Sequence, residues 1–350
     1  MPDESAYARA GVDVEAGERA VELMKASVAA ASRPEVLGGL GGFAGLFDAS
    51  ALARYRHPVL ATSTDGVGTK VAIARDLGVY DTIGWDLVGM VVDDLVVVGA
   101  EPLFLTDYIA CGKVVPERVA SIVSGIAAAC AAAGVALIGG ETAEHPGLMD
   151  ADDFDIAGAA TGVVERDELL GPERVRPGDV VLALASSGLH SNGYSLVRRV
   201  LLEDARMPLE AHVDELGRPL GEELLQPTRV YAADCLALAR ACEVHAMAHI
   251  TGGGFAANLA RVLPAGLGAV IDRSTWTPPP VFGFVGRVGK VELPDLEATL
   301  NMGVGMAIVL PPASVATAVQ RLGDRGVVAW ECGVVDDSGT VAARGNFAGM

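Results

Sequence analysis

Aromatic side chains are scarce. Phe, Tyr and Trp make up 5% of the 350 residues, whereas hydrophobic residues of all kinds make up 51%. A core must therefore be built from Ala, Val and Leu with closely packed Gly, and so large an apolar fraction excludes a disordered chain. Cysteine is sparse too. Cys111, Cys130, Cys235, Cys242 and Cys332 are odd in number and no two are spaced C-x-x-C. That excludes a disulfide framework or a zinc knuckle and fits free thiols in a reducing compartment. Basic residues are outnumbered, 26 Lys and Arg against 45 Asp and Glu, for a formal charge of −19. With no Lys- or Arg-rich run, the chain is expected to bind neither nucleic acid nor an anionic membrane. Such acidity suits a protein that holds anionic ligands through Mg²⁺ and backbone N–H groups.

The N-terminal MPDESAYARAGVD is polar and acidic, so no signal peptide is expected and the protein is expected in the cytoplasm. Residues 119–140 carry no charge and are long enough for a membrane span. Their Ala, Gly and Ser content, the start at Pro116-Glu117-Arg118 and the break at Gly134 instead predict a helix, a turn and a short strand at 135–138.

What is present is an α/β grammar, read twice. Residues 11–31 have helical periodicity. GGLGGFAGLF (38–47) holds five glycines and predicts a loop. A strand is expected from His57 to Thr64, a helix over 84–99 ended by Gly99, a strand over 102–109, a helix over 116–133 and a strand over 155–164. The charged run ERDELLGPERVRPGD (165–179) marks a boundary, which predicts domains at 1–168 and 169–350. Beyond it, strands are expected at 180–185, 268–271, 302–310 and 327–335. Helices are expected at 194–203, 229–243, 256–263 and 313–321, and TPPPVF (277–282) is expected to break the chain.

Several segments carry chemistry. No Walker A sequence exists; the glycine loop could cradle phosphate or act as a hinge, and its G-x-G-x-x-A (39–44) lacks the preceding strand of a dinucleotide fold. In DGVGTK (65–70), Asp65 offers a carboxylate, Gly66 and Gly68 a tight turn, and Thr69 and Lys70 a hydroxyl and a cation. Asp93 and Asp94 interrupt an apolar helix, where a buried charge needs a partner or a metal. Glu141 follows a strand whose Gly139 and Gly140 let backbone approach a ligand. Asp65, Asp94 and Glu141 together are a candidate Mg²⁺ set. In SSGLHSNGYS (186–195), His190 could serve as acid, base or phosphate ligand. His249 precedes three glycines in AHITGGG. No G-x-S-x-G elbow is present, which argues against a Ser–His–Asp hydrolase.

In their order these segments resemble the phosphoribosylformylglycinamidine cyclo-ligase family of purine biosynthesis. The resemblance runs through YARAGVDVEAG (7–17), RPEVLGGLGGFAGLF (33–47), STDGVGTK (63–70), DDLVVVGAEPLF (93–104), GGETAEHPG (139–147), ASSGLHSNGYSLV (185–197), PTRVY (227–231), HITGGG (249–254) and NMGVGM (301–306). It implies two α/β (α+β) domains, the N-terminal sheet pairing with that of a second subunit in a homodimer. It also implies ATP-dependent closure of formylglycinamidine ribonucleotide to aminoimidazole ribonucleotide, with ADP and phosphate released. By the same resemblance Asp65, Lys70, Asp94 and Glu141 form the ATP–Mg²⁺ group. Gly41, Gly42, Gly66, Gly68 and Thr69, with Lys25 near the N-terminus, face phosphates. His190, Ser191, Asn192 and His249 face substrate or the transferred phosphate, with His190, Lys70 and Asp65 catalytic. Two positions depart from the family pattern: Asp93 stands where Asn is usual and His145 where Met is usual. Thiamine-monophosphate kinase, selenophosphate synthetase and an inactive nucleotide-binding regulator are the rival readings. The first lacks the SSGLHSNGYS and HITGGG pattern, and the second calls for a Cys ahead of Cys111. The third is opposed by the presence of the carboxylates, Lys70 and His190.

Overall fold

The computed structural model describes residues 13–39 and 41–348. Contacts group the chain into two units, Met1–Leu95 with Pro102–Arg166, and Val96–Glu101 with Asp167–Met350.

The first unit begins with helix α1 (Val14–Ala30), whose Asp13 caps it by accepting from the N–H of Ala16 at 3.0 Å. Strands β1 (Val36–Leu37) and β2 (Leu46–Phe47) pair antiparallel and clamp the glycine loop between them. Its base is fixed by packing: Phe47 and Phe104 have ring centroids 5.3 Å apart, and the Arg33 guanidinium lies over Phe47. A four-stranded sheet follows, in the order β3 (Pro58–Gly66), β6 (Phe154–Glu165), β4 (Glu101–Cys111), β5 (Ala136–Glu144). Strands β3 and β6 run antiparallel, and β4 and β5 parallel. The parallel pair requires a crossover, which helix α4 (Pro116–Ala133) supplies. Pro at its start and Gly134 at its end, with φ 72°, bound it as the sequence predicts. The uncharged stretch is thus a helix and a strand, and no described helix is long and apolar enough to cross a membrane.

Helix α2 (Val71–Leu77) follows the DGVGTK turn, a short element that the sequence did not announce. Helix α3 (Thr82–Val96) stops three residues ahead of Gly99, the expected terminator, which does take a left-handed φ of 82°.

The second unit is built on a six-stranded sheet in the order β10 (Ala246–His249), β12 (Val304–Leu310), β7 (Val180–Ala185), β13 (Ala329–Asp336), β11 (Gly268–Asp272), β14 (Val341–Arg344). All its pairs are antiparallel except β11 with β14. Strands β8 (His212–Val213) and β9 (Arg218–Pro219) form a separate small ribbon. Central β7 and β12 are continuous apolar runs, VVLALA and VGMAIVL, buried on both faces. The core beneath them gathers Val181, Ala183, Ala248, Ile250, Ala307 and Val309.

Helices α5 (Tyr194–Arg198), α6 (Leu220–Leu224), α7 (Ala232–Ala241), α8 (Gly254–Ala260), α9 (Pro280–Gly289), α10 (Leu293–Thr299) and α11 (Val315–Asp324) complete the unit. The TPPPVF tract does not only break the chain: Pro280 opens α9. Proline lacks an N–H that the first helical turn could not use in any case, so a proline run both ends one element and starts the next. Strand β10 and α9, α10 and β14 were not foreseen.

Candidate active site

In the first unit, Asp65 is exposed near the end of β3, and its Oδ1 accepts from the N–H of Gly66 at 2.7 Å. Gly68 takes a left-handed φ of 70°, which a side chain would resist. Thr69 is exposed beside it. Lys70, expected to offer its cation to phosphate, is fully buried, and its Nζ donates to Asp86 Oδ1 at 2.8 Å. Burial pulls its pKa down, against the pull of Asp86. Asp86 escaped the sequence reading, although it is a charge in an apolar helix just as Asp93 is. Of the Asp93-Asp94 pair, Asp93 is fully buried and Asp94 is exposed.

Glu141 is exposed on β5. Among the described residues no group of three or more His, Cys, Asp or Glu forms a metal cage. Mg²⁺ is commonly held by only one or two carboxylates together with the phosphates of a nucleotide.

A cavity of about 480 Å³ lies between α1, the glycine loop and β5. Gly41, with φ 102°, and Gly42 line one side, and Gly139 to Thr142 another. Gly45 seats the loop: a Cβ there would come within 2.5 Å of the Ile138 carbonyl oxygen. Lys25 lies in the neighbouring cavity, where it pairs with Glu22 on the exposed face of α1. Glu144 ties the wall together, accepting from the N–H of Asp13 at 2.8 Å and of Val114 at 2.6 Å.

Asp107 also reaches this cavity, from β4. It follows Leu103 and Leu105 in the inward alternation of the strand, a position where an apolar residue is the rule. That alternation was the signal that could have singled it out. Its carboxyl lies against Gly140, where a Cβ would be 2.2 Å from Oδ1.

In the second unit, four of the sequence motifs meet. His190 is buried and holds a left-handed φ of 61°. Its Nε2 accepts from the N–H of Ser187 at 3.1 Å, which assigns the ring proton to Nδ1. Gly305 of NMGVGM must be glycine, because a Cβ would meet the Tyr231 hydroxyl at 2.1 Å and His190 Cε1 at 2.6 Å. Tyr231 of PTRVY donates to the Ala185 carbonyl at 2.7 Å, and Ser187 donates to the Pro227 carbonyl at 2.6 Å.

Asn301 Oδ1 accepts from the N–H of Gly303 at 2.8 Å, while its Nδ2 donates to the Gly188 carbonyl at 2.9 Å. Asn192 Oδ1 accepts from the N–H of Gly252 at 3.1 Å, joining the His–Ser–Asn loop to the TGGG loop. Asn258 folds the latter, donating to the carbonyls of Thr251, Gly252 and Gly254. Ser191 and His249 are buried at the same loops. Asn258, Asn301 and Tyr231 were missed as individuals: an amide or phenol inside a motif looks like any other polar loop residue until its partners are placed. His145, the departure from the family pattern, lies in the first unit with Nε2 3.1 Å from the Tyr108 hydroxyl.

Two α/β units, each with glycine loops around buried polar anchors, define a recognised class. Residues 47–164 match the N-terminal domain and residues 176–346 the C-terminal domain of the AIR synthase related proteins. The same fold occurs in thiamine-monophosphate kinase from Stenotrophomonas maltophilia K279a, with TM-score 0.68, 20% identity and coverage of 94% of this chain and 97% of that one. It occurs too in E. coli HypE, a hydrogenase maturation protein, with TM-score 0.65, 18% identity and coverage of 95% and 93%.

Within that class the chain belongs to the phosphoribosylformylglycinamidine cyclo-ligase family. It is 51% identical to the Geobacillus kaustophilus (strain HTA426) protein of that name over 97% of this chain and 98% of the relative. It is 49% identical to a Bacillus cereus protein of the same name over 93% and 94%.

Proposed function

We propose that the chain uses ATP to close formylglycinamidine ribonucleotide to aminoimidazole ribonucleotide, releasing ADP and phosphate, as a ligase of purine biosynthesis. One observation carries the reading: about half of all positions are shared with cyclo-ligases along nearly the whole chain. An amide oxygen is a poor leaving group. Transfer of the γ-phosphoryl group to it gives an iminophosphate, and the amidine nitrogen can then displace phosphate. The task of the protein is to align the phosphoryl group and stabilise developing charge.

The proposed roles follow the placement of the residues. Gly41, Gly42, Gly66, Gly68 and Thr69 approach phosphate through backbone and hydroxyl, with Lys25 nearby. Asp65, Asp94 and Glu141 are the carboxylates for Mg²⁺, which would neutralise charge on the phosphates. Lys70 is a positioning residue at the catalytic turn, since its ammonium is engaged by Asp86. His190, with Ser191, Asn192 and His249, receives the substrate or the transferred phosphate. The sheet of the first unit is proposed to pair with that of a second copy in a homodimer. The location proposed is the cytoplasm.

The test is a coupled assay with purified protein. Phosphate release that requires both formylglycinamidine ribonucleotide and ATP, with formation of the aminoimidazole, is the expected result. Turnover of ATP with thiamine monophosphate or selenide alone would overturn the reading.

A further inference from the structure

Aromatic residues are scarce in this chain, yet Phe255, Trp276 and Phe347 meet at one cavity of about 330 Å³ to which the proposed reaction gives no task. It lies wholly within the second unit, between α8, α10 and β14. The ring of Trp276 stands 6.4 Å from that of Phe255 at an interplanar angle of 29°, and 5.0 Å from that of Phe347, edge-on. The indole N–H of Trp276 donates to the Met302 carbonyl at 2.9 Å, which fixes this aromatic wall. Val341 and Ala343, alternate residues of β14, line the cavity from one face of the strand. Water among rings and methyl groups gives up hydrogen bonds, so a ligand of matching shape displaces it favourably.

The polar groups of the cavity say which ligand. The charged side chains lining it are Arg273 and Glu297, and they cancel. Arg273 Nε and Nη2 donate to Glu297 Oε1 and Oε2 at 2.6 and 2.8 Å, with the two side chains only 19% and 24% exposed. An anion would have to displace Glu297 from this fork, and a cation would have to displace Arg273, so an uncharged ligand is favoured. The Arg273 Nη1 donates to the Gly345 carbonyl at 3.3 Å. A guanidinium has more N–H groups than these three bonds use, and those left over can donate to a ring nitrogen or a carbonyl. A flat, uncharged ring system that carries such acceptors is a nucleobase, and aromatic side chains stack on the face of any base. The volume, at the low end for small-molecule sites, suits a two-ring base.

We propose that this cavity is a second ligand site, one that takes an uncharged purine-type base by stacking on the Trp276 wall and accepting a hydrogen bond from Arg273. Gly253 of the TGGG segment and Met302 of NMGVGM also line it. A base bound there therefore lies against two segments of the substrate side of the proposed reaction, as an effector would. Binding at this place does not require that the chain be a cyclo-ligase.

Equilibrium dialysis of the full chain against adenine tests the proposal, with the nucleotide site filled by a non-hydrolysable ATP analogue and Mg²⁺. Binding of about one adenine per chain is expected, with Kd of about 1 mM or below, within reach of a ligand of about ten non-hydrogen atoms. No uptake overturns the proposal. So does adenine that the analogue or formylglycinamidine ribonucleotide displaces, since it would then occupy the reaction site. Cyclohexanol, apolar but neither flat nor aromatic, should compete at least about tenfold more weakly than adenine. Equal competition would mean an unselective apolar gap and would overturn the assignment of a base.

Two variants locate the adenine. Ala343→Phe fills the cavity from the exposed edge strand β14. Adenine affinity should fall at least about tenfold, while kcat/KM for the proposed reaction stays within about twofold of wild type. Ala298→Phe fills the cavity from α10 and should weaken adenine likewise, so the test survives if the first variant fails to fold. Unchanged adenine affinity in either variant, with a wild-type circular dichroism spectrum, overturns the proposal.

Discussion

The Nζ of Lys70 and the Oδ1 of Asp86 stand 2.8 Å apart with both side chains wholly shielded from solvent. A buried pair of this kind is costly to break, because removing one partner strands the other charge. Asp86→Ala is expected to destabilise the protein by about 3–5 kcal/mol. Urea unfolding checks this: the midpoint should fall with little change in slope. A shift below about 0.5 kcal/mol, the usual surface value, would mean that the pair does not hold the turn.

Asp65 gives the opposite pattern. It is exposed, so Asp65→Asn should leave stability within about 0.5 kcal/mol of wild type. Activity should nevertheless fall by about 100-fold or more if Asp65 helps to place the metal–nucleotide, a loss comparable to that of a key electrostatic contact. Near-normal kcat/KM would remove Asp65 from the site.

Gly305→Ala probes the packing beneath His190. The new methyl would meet the Tyr231 hydroxyl at 2.1 Å and His190 Cε1 at 2.6 Å, so one ring must move. Overpacking costs about 1–3 kcal/mol. Activity is expected to fall further than stability alone explains. A crystal structure with the His190 ring displaced and full activity would refute the role given to His190.

Asn301→Ala removes an amide that serves the Gly303 N–H and the Gly188 carbonyl inside the protein. Leaving such groups unmet costs about 1–3 kcal/mol. Calorimetry should show a lowered thermal midpoint, and Asn301→Asp should not restore it, since a carboxylate cannot donate to the Gly188 carbonyl.

Asp107 makes stability depend on pH in a defined direction. Its folded pKa is raised by burial from an ordinary 3.8 to about 7, so the native state binds the proton more tightly than the unfolded one. The stabilising share is complete below about pH 4 and is lost as pH rises through about 7. Asp107→Asn should therefore gain on wild type as pH rises from 5 to 8, with a midpoint at pH 8 raised by about 2–4 °C for each kcal/mol recovered. An equal gap between the two proteins at both pH values would contradict the assignment.

Much of this architecture is legible in the sequence, and the reason is local. Pro116 and Gly134 bound α4 because proline suits the first turn of a helix and glycine the left-handed cap. Strands β7 and β12 are plain apolar runs. Elements whose signal is shared or weak were lost: α9 hides behind a proline tract, and β14 is a short edge strand beside a turn. Side-chain partners were least legible. The alternation of Leu103, Leu105 and Asp107 turns Asp107 inward, but nothing in LTDYIA says that it meets a glycine, since its neighbour Gly140 lies on another strand. Likewise Lys70 in DGVGTK looks like a surface cation until Asp86, sixteen residues on, is found opposite it.

The bond from the Gly252 N–H to Asn192 spans 60 residues of sequence and fastens one loop to another. Loops so fastened share the entropy of becoming ordered. A molecule that stills the His–Ser–Asn loop lowers what it costs to still the TGGG loop. Two chemically distinct ligands, one at each loop, could thus favour each other without touching, and slowed amide exchange at the second loop would report occupancy of the first.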